Sequence, residues 1–259
     1  QMIICGIDMS KNSPAVVKFL LDDKLDIISK RFITFTTTKK YEEDNIIYYK
    51  KEDFDCDLAQ YVFIKNHIKN FMIDLKCDGD VNPDYVGLEG YAYSGTGMVF
   101  DIAEITCTIK MMVYDRGIPL IIYDPPSIKM YATGLGNADK IHMEEDYEKL
   151  PIDERFDLRH LPLVSDKKKG NPKDNIVDAF YIAKLLQLEL KLRNGIITLR
   201  DLDSKTIRIF NRVTKSNPVN ILDTDFIIKK TNILRWLRWN IKNKEMINYG
   251  YLGWVGMFR

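Results

Sequence analysis

Met2-Ile3-Ile4-Cys5-Gly6-Ile7-Asp8 is the stretch that decides how this chain reads. An uncharged run ends on an aspartate, the pattern of a buried strand whose last side chain emerges at the end of a sheet. A carboxylate in that position is costly unless something pairs with it. Three more acids stand in settings of their own. Glu89 closes the apolar run Tyr85-Val86-Gly87-Leu88, and Asp174 and Asp178 sit at helical spacing in Asp174-Asn175-Ile176-Val177-Asp178-Ala179. Carboxylates converging from strand ends and a helix hold hard divalent cations through oxygen, usually Mg²⁺ beside a phosphate. The pattern therefore points to phosphodiester chemistry.

Outward from the first strand, Pro14–Leu21 and Asp26–Thr36 read as two more strands joined by the turn Asp22-Asp23-Lys24. Residues 38–56 read as a polar excursion. Asp57 to Leu75 fits a helix, 85–89 a fourth strand, Met98 to Asp115 a helix and 119–124 a fifth strand closed by Pro125-Pro126. A short helix is expected over 138–149, a long loop over 151–173 and a strongly amphipathic helix over Asp174 to Leu192. Three consecutive strands followed by alternating helices and strands predict an α/β fold: a mixed five-stranded sheet flanked by helices.

The chain has 259 residues, 46% hydrophobic and 29% charged, enough for one large domain with an appendage. No apolar run is long enough to span a bilayer and no signal peptide is visible, so a cytoplasmic location is expected, in a bacterium or a virus-infected host cell. Met2 reads as the initiator, with Gln1 an added residue. Cys5, Cys56, Cys77 and Cys107 form no CxxC or Cys/His cluster, and the three histidines are scattered, which argues against zinc and for free thiols. Net charge is +1 but uneven. Residues 200–259 hold 12 Lys+Arg and 5 Asp+Glu, or +7, leaving −6 for 1–199. The division expected is a catalytic domain over 1–199 and a basic C-terminal extension over 200–259, the extension suited to phosphate.

Four segments in order carry a resemblance to a known family: Gly6-Ile7-Asp8-Met9-Ser10, Leu88-Glu89-Gly90-Tyr91-Ala92, the stretch Lys129 to Lys140, and Asp174-Asn175-Ile176-Val177-Asp178-Ala179. Together they resemble RuvC-type Holliday-junction resolvases, nucleases of RNase H-like fold, in a phage or viral branch. The resemblance spans residue 2 to about 193 and leaves 200–259 outside. It implies an Mg²⁺-dependent endonuclease that resolves four-way DNA junctions by paired nicks. It also implies two cations per site bridged by Asp8, with Mn²⁺ as a substitute, and a C₂ homodimer supplying two sites. The dimer face would be the helix after Glu89, through Met98, Ile102, Ile105, Ile109 and Met112.

By the same resemblance Asp8, Glu89 and Asp178 are metal ligands and catalytic residues. The family places a second acid, or a His, three positions before Asp178, where this chain has Asn175. Two accounts stand. Asp174, on the same side of the helix as Asp178, is the fourth ligand or a helix N-terminal acid beside a natural Asn175 ligand. Alternatively, Asn175 is an engineered substitution that weakens metal binding. For DNA, Lys129, Thr133, Gly134, Gly136 and Lys140 match the family's segment near the scissile phosphate. Lys167, Lys168, Lys169 and Lys173 offer cations before the last helix, Tyr91 and Tyr93 stacking surfaces, and Arg235 and Arg238 a clamp beside Trp236 and Trp239. The bland alternatives are core packing for the aromatics and solvated surface for the lysines.

Three other functions fit parts of the pattern. Another RNase H-like nuclease, acting on RNA–DNA hybrids or in transposition, shares the acids. A sugar-kinase or actin-like ATPase also opens on Gly-Ile-Asp but needs a second phosphate-binding strand pair. A binding-only junction protein with a weakened site fits Asn175.

Overall fold

The computed structural model describes residues 1–74, 81–90, 99–168, 171–213 and 219–227. Six strands form one mixed sheet: β1 (Met2–Asp8), β2 (Ala15–Leu21), β3 (Ile27–Thr36), β4 (Ile46–Tyr48), β5 (Tyr85–Glu89) and β6 (Leu120–Tyr123), in the order β4-β3-β2-β1-β5-β6. β1, β2 and β3 form an antiparallel meander, while β5 lies parallel to β1 and β6 parallel to β5. The sheet is α/β and mixed, as the sequence predicts, with one strand more. Ile46-Ile47-Tyr48 lies inside the stretch that reads as a polar excursion, and pairs in parallel with Thr34–Thr36 at the sheet edge.

Strand alternation divides the core in two. Ile4, Ala15, Val17 and Phe19 face one side, with α3 (Pro125–Thr133), α4 (Lys140–Lys149) and α5 (Lys173–Arg193). Cys5, Ile7 and Val16 face the other, with α1 (Asp57–Met72) and α2 (Val99–Asp115). The stripe expected to make a dimer, Ile105, Ile109 and Met112, is this inner side of α2 and is buried within the chain. The outer side of α2 presents Phe100, Met111 and Tyr114, more than half exposed.

α3 begins directly on Pro125-Pro126, which in sequence reads only as a strand stop. Proline suits a first helical turn because its missing N–H would have no partner there. α5 is not the amphipathic helix expected. Ile176, Val177, Ala179, Phe180, Tyr181, Ile182 and Ala183 are all buried, because sheet, α3 and α4 wrap it. Phe180 sits in a cage of rings, with centroids 5.8 Å from Phe19, 5.1 Å from Tyr147 and 6.2 Å from Phe156.

α5 crosses β1 at close range because Gly6 has no side chain. A Cβ there would stand 2.4 Å from the Ala183 nitrogen and 2.5 Å from the Ala179 oxygen. That contact brings Asp178 over the end of β1. Residues from the C-terminal segment also join the core. Ile209 and Phe210 are buried, Phe226 stacks on Tyr85 at 5.0 Å, and the Ile227 N–H donates to the Leu120 carbonyl of edge strand β6 at 2.8 Å. Among the described residues no helix is long and apolar enough to cross a membrane.

Candidate active site

The C-terminal ends of the parallel strands β1 and β5 lie side by side, Ile7 opposite Leu88, so Asp8 and Glu89 emerge together. Crevices at such strand ends are where open α/β sheets bind ligands. Asp8 is buried, and Glu89 and Asp178 are partly so. The Asp8 and Glu89 carboxyls hydrogen-bond to each other. Burial, then the charge of Glu89, pushes the Asp8 carboxyl well above the usual carboxylate range. Burial also raises Glu89, against the pull of its bond to Asp8 and with a contribution from Asp178. Asp178 is pushed up to about 8, by burial first and the Asp8 charge second. Three acids, each raised by burial first and by a neighbouring acid after it, form a site short of positive charge.

Lys140 supplies part of that charge. Its ammonium pairs with Asp174, and its charge also acts on Asp178 and Asp8. Among the described residues no group of three or more His, Cys, Asp or Glu side chains is placed to hold a metal ion. The donors nevertheless fit a hard divalent ion. They are all carboxylate oxygens, they come from two strand ends and one helix, and their mutual repulsion is what a cation relieves.

Asp174 and Asn175 part company. Asp174 faces Lys140. Asn175 is buried, and its Nδ2 donates to the Ser13 carbonyl at 2.7 Å and the Ser13 Oγ at 2.6 Å. Its amide thereby pins the β1–β2 turn, which begins immediately after Asp8. On the other side of that turn Lys11 pairs with Asp57 at 3.1 Å and Asp101 at 2.8 Å, tying it to the first turns of α1 and α2. Neither Ser13 nor Lys11 stands out in the sequence. Their roles come from partners 46 to 162 residues away.

Lys173 does not belong with the expected DNA-facing lysines. It is buried and pairs with Glu144 at 2.6 Å and Glu148 at 3.1 Å. The Glu144 carboxylate also accepts the Val164 N–H at 2.8 Å, and Arg155 pairs with Glu148 at 2.7 Å. Lys140, Glu144 and Glu148 are spaced four apart, one stripe of α4 laid on the first turn of α5. Two ion pairs of opposite polarity result, Lys173 with the glutamates inside and Lys140 with Asp174 outside. Breaking the inner pair leaves buried charge and costs about 3–5 kcal/mol. The outer pair is of the exposed kind, worth about 0–1 kcal/mol. The first fixes the frame and the second is free to break.

Of the other expected DNA contacts, Lys129 lies on α3, and its charge acts on Glu89 and Asp178. Thr133 Oγ1 bonds back to the Lys129 carbonyl at 2.9 Å. Gly134 ends α3 at φ 78°, a conformation glycine adopts without strain, and the Lys205 side chain lies over it. Gly136 packs near the Pro126 carbonyl. Lys167 and Lys168, with Lys140, Asn171, Asp139 and Asp174, line a cavity of about 460 Å³. Tyr91, Tyr93, Lys169, Arg235 and Arg238 lie outside the described residues.

No protein-family model matches the chain. A crossover junction endodeoxyribonuclease RuvC from Gloeobacter violaceus is 27% identical over 101 residues, 39% of this chain. The chain spans about half of that relative's length, 50%. Among solved structures, Thermus thermophilus RuvC aligns over 75% of this chain and 96% of its own, at 12% identity and a TM-score of 0.42. The fowlpox virus resolvase in complex with substrate Holliday junction DNA aligns over 73% and 99%, at 18% identity and 0.42. The yeast mitochondrial Holliday junction resolvase aligns over 74% and 84%, at 15% and 0.41. The fold follows from strand order and pairing, not from these alignments. Over 101 residues this chain is similar to a RuvC-type crossover junction endodeoxyribonuclease, and its sheet is mixed α/β in the order β4-β3-β2-β1-β5-β6.

Proposed function

We propose that the chain is an Mg²⁺-dependent endonuclease that resolves four-way DNA junctions by paired nicks. The observation that carries the reading is the convergence of Asp8 and Glu89, at the ends of parallel strands, with Asp178 on α5, three carboxyls held above their usual range by burial first and by neighbouring acids second. Asp8, Glu89 and Asp178 would hold a pair of cations. When bound, such a pair supplies Lewis-acid stabilisation to the attacking and leaving oxygens of an in-line displacement. The chain's own contribution is rigidity. β1 and β5 fix two carboxylates, the Gly6 contact fixes the third, and Asn175 and Lys11 hold the turn after Asp8. Lys129 and Lys140, with Lys167 and Lys168 along the cavity, meet the phosphate backbone.

Paired nicks need two sites in one particle, and a C₂ dimer supplies them. The outward face of α2, with Phe100, Met111 and Tyr114, replaces the buried stripe as the surface for that contact. The test is a labelled four-way junction incubated in Mg²⁺ and in EDTA, with sedimentation of the same protein. Symmetric nicks that require Mg²⁺ and vanish in Asp8→Asn, made by a dimer, are expected. Undiminished cutting by Asp8→Asn, or cutting of RNA–DNA hybrids in preference to junctions, would overturn the reading.

A further inference from the structure

Among the described residues, Lys140 is a cation of this site whose partners point two ways. Toward the acids it pairs with Asp174, and its charge reaches Asp178 and Asp8. Asp174 itself lines the cavity that Lys140 shares with Lys167 and Lys168, so the ammonium stands between the deeper acids and that cavity. Its side chain is 56% exposed, so it lies over the mouth of the acid group and is not packed beneath it. The α4 backbone beneath it does not need to move. Asp139 caps that helix through the His142 N–H at 2.9 Å, and the inner Lys173 pair holds the helix on α5. Only the flexible arm of Lys140 has to swing.

On the reading proposed above, a divalent ion and Lys140 want the same negative charge. We infer that Lys140 is a stand-in cation: it neutralises the acid group in the substrate-free chain, competes there with the divalent ion, and leaves for a DNA phosphate at the Lys167–Lys168 cavity. The cavity gives the displaced ammonium somewhere to go. Lys167, held in the left-handed region at φ 49°, and Lys168 border it with Asp139 and Asp174, so a phosphate seated there would meet three lysines against two carboxylates. Cation entry and DNA entry thereby become linked, since each removes the other's competitor.

The coupling is measurable without cleavage. Mn²⁺ is titrated by calorimetry into the full chain in the absence of DNA, comparing the wild type with Lys140→Gln and Lys140→Arg. A thermal melt of each variant confirms folding, which an exposed arm at the start of α4 does not threaten. Lys140→Gln should bind Mn²⁺ about threefold to fivefold more tightly, because a competing unit charge is gone from the ligands. Lys140→Arg keeps that charge and should bind as the wild type does. Affinity of Lys140→Gln equal to or weaker than wild type overturns the stand-in role while leaving the metal site in place. Absence of saturable Mn²⁺ binding in all three proteins overturns the metal site as well.

Discussion

Gly6→Ala tests the contact on which the whole site depends. An added Cβ would lie 2.4 Å from the Ala183 nitrogen, 2.5 Å from the Ala179 oxygen and 2.8 Å from the Ala183 Cα. All three are backbone atoms of a helix buried on every side, so no flexible side chain can yield. Ordinary contact begins at 3.4 Å, so α5 must lift from β1 by about 1 Å. Overpacking by a methyl in a core costs about 1–3 kcal/mol, and this backbone contact belongs at the upper end. The lift also separates Asp178, the neighbour of Ala179, from Asp8 on β1. A misplacement of about 1 Å in a site of this kind costs on the order of a hundredfold in rate. Urea unfolding measures the first effect, and Mn²⁺ affinity with junction cleavage the second. Gly6→Ala should be about 3 kcal/mol less stable and weak in both functional readouts. A variant within ~0.5 kcal/mol of wild type with unchanged Mn²⁺ affinity would refute the claim that this contact sets the geometry.

Two further perturbations address the charges. The Asp178 carboxyl, about 8 in the folded chain against 3.8, binds its proton more tightly when folded. Its contribution is therefore fully present below about pH 4 and lost as pH rises toward 8. In EDTA the wild type should be less stable at pH 8 than at pH 5. Asp178→Asn should recover on the order of 2 kcal/mol at pH 8, a figure discounted for the partial exposure of the group. Equal effects of this substitution at both pH values would dispose of the argument. Lys173→Met strips the cation from buried Glu144 and from Glu148, and should cost about 3 kcal/mol in denaturant unfolding. A neutral result would mean that the inner pair does not hold α4 on α5.

Local signals made much of this fold legible. The run ending at Asp8, the alternation through Phe32 and Phe35, and the apolar residues before Glu89 each specify a strand from neighbouring residues. Helices α1, α2 and α4 likewise lie within a few residues of their expected spans. The errors share a different cause. Three residues of β4 among polar neighbours carry no periodicity, and only pairing with Thr34–Thr36 makes them a strand. The α2 stripe was visible, but whether a stripe faces the core or a partner depends on what the sheet covers. Lys173 follows a lysine run and looks solvated; its burial is set by Glu144 and Glu148, 25 and more residues earlier. Asp8 and Glu89 stand out in sequence because each ends a strand, and Asp178 because it follows Asp174 at helical spacing. The residues that aim them, Gly6, Ser13 and Lys140, owe their roles to distant partners.

The C-terminal segment shows how the structure changes an experiment. Read from sequence, 200–259 is one basic extension, and deleting it would test DNA binding. Most of its charge, however, lies beyond residue 227, past the contacts that the described residues make. Residues 200–227 hold five basic and four acidic side chains, whereas 228–259 hold seven basic and one acidic, so +6 of the +7 lies beyond Ile227. Ile209 and Phe210 are buried in the core, and Arg193 donates to the Ile221 carbonyl at 3.0 Å and the Thr224 carbonyl at 2.7 Å. The Ile227 N–H bonds to the edge of β6. A cut after residue 199 would uncover this surface and lower the melting temperature whatever the segment does with DNA. A cut after residue 227 removes most of the charge and leaves the contacts of residues 200–227 in place. If the segment extends a DNA footprint, the shorter deletion should leave melting unchanged and flatten the salt dependence of junction binding, since every phosphate no longer neutralised by a Lys or Arg reduces the log–log slope by about one. A chain ending at residue 227 that binds junctions with the wild-type slope would exclude the extension from the interface, and a fall in its melting temperature would assign residues 228–259 to the fold instead.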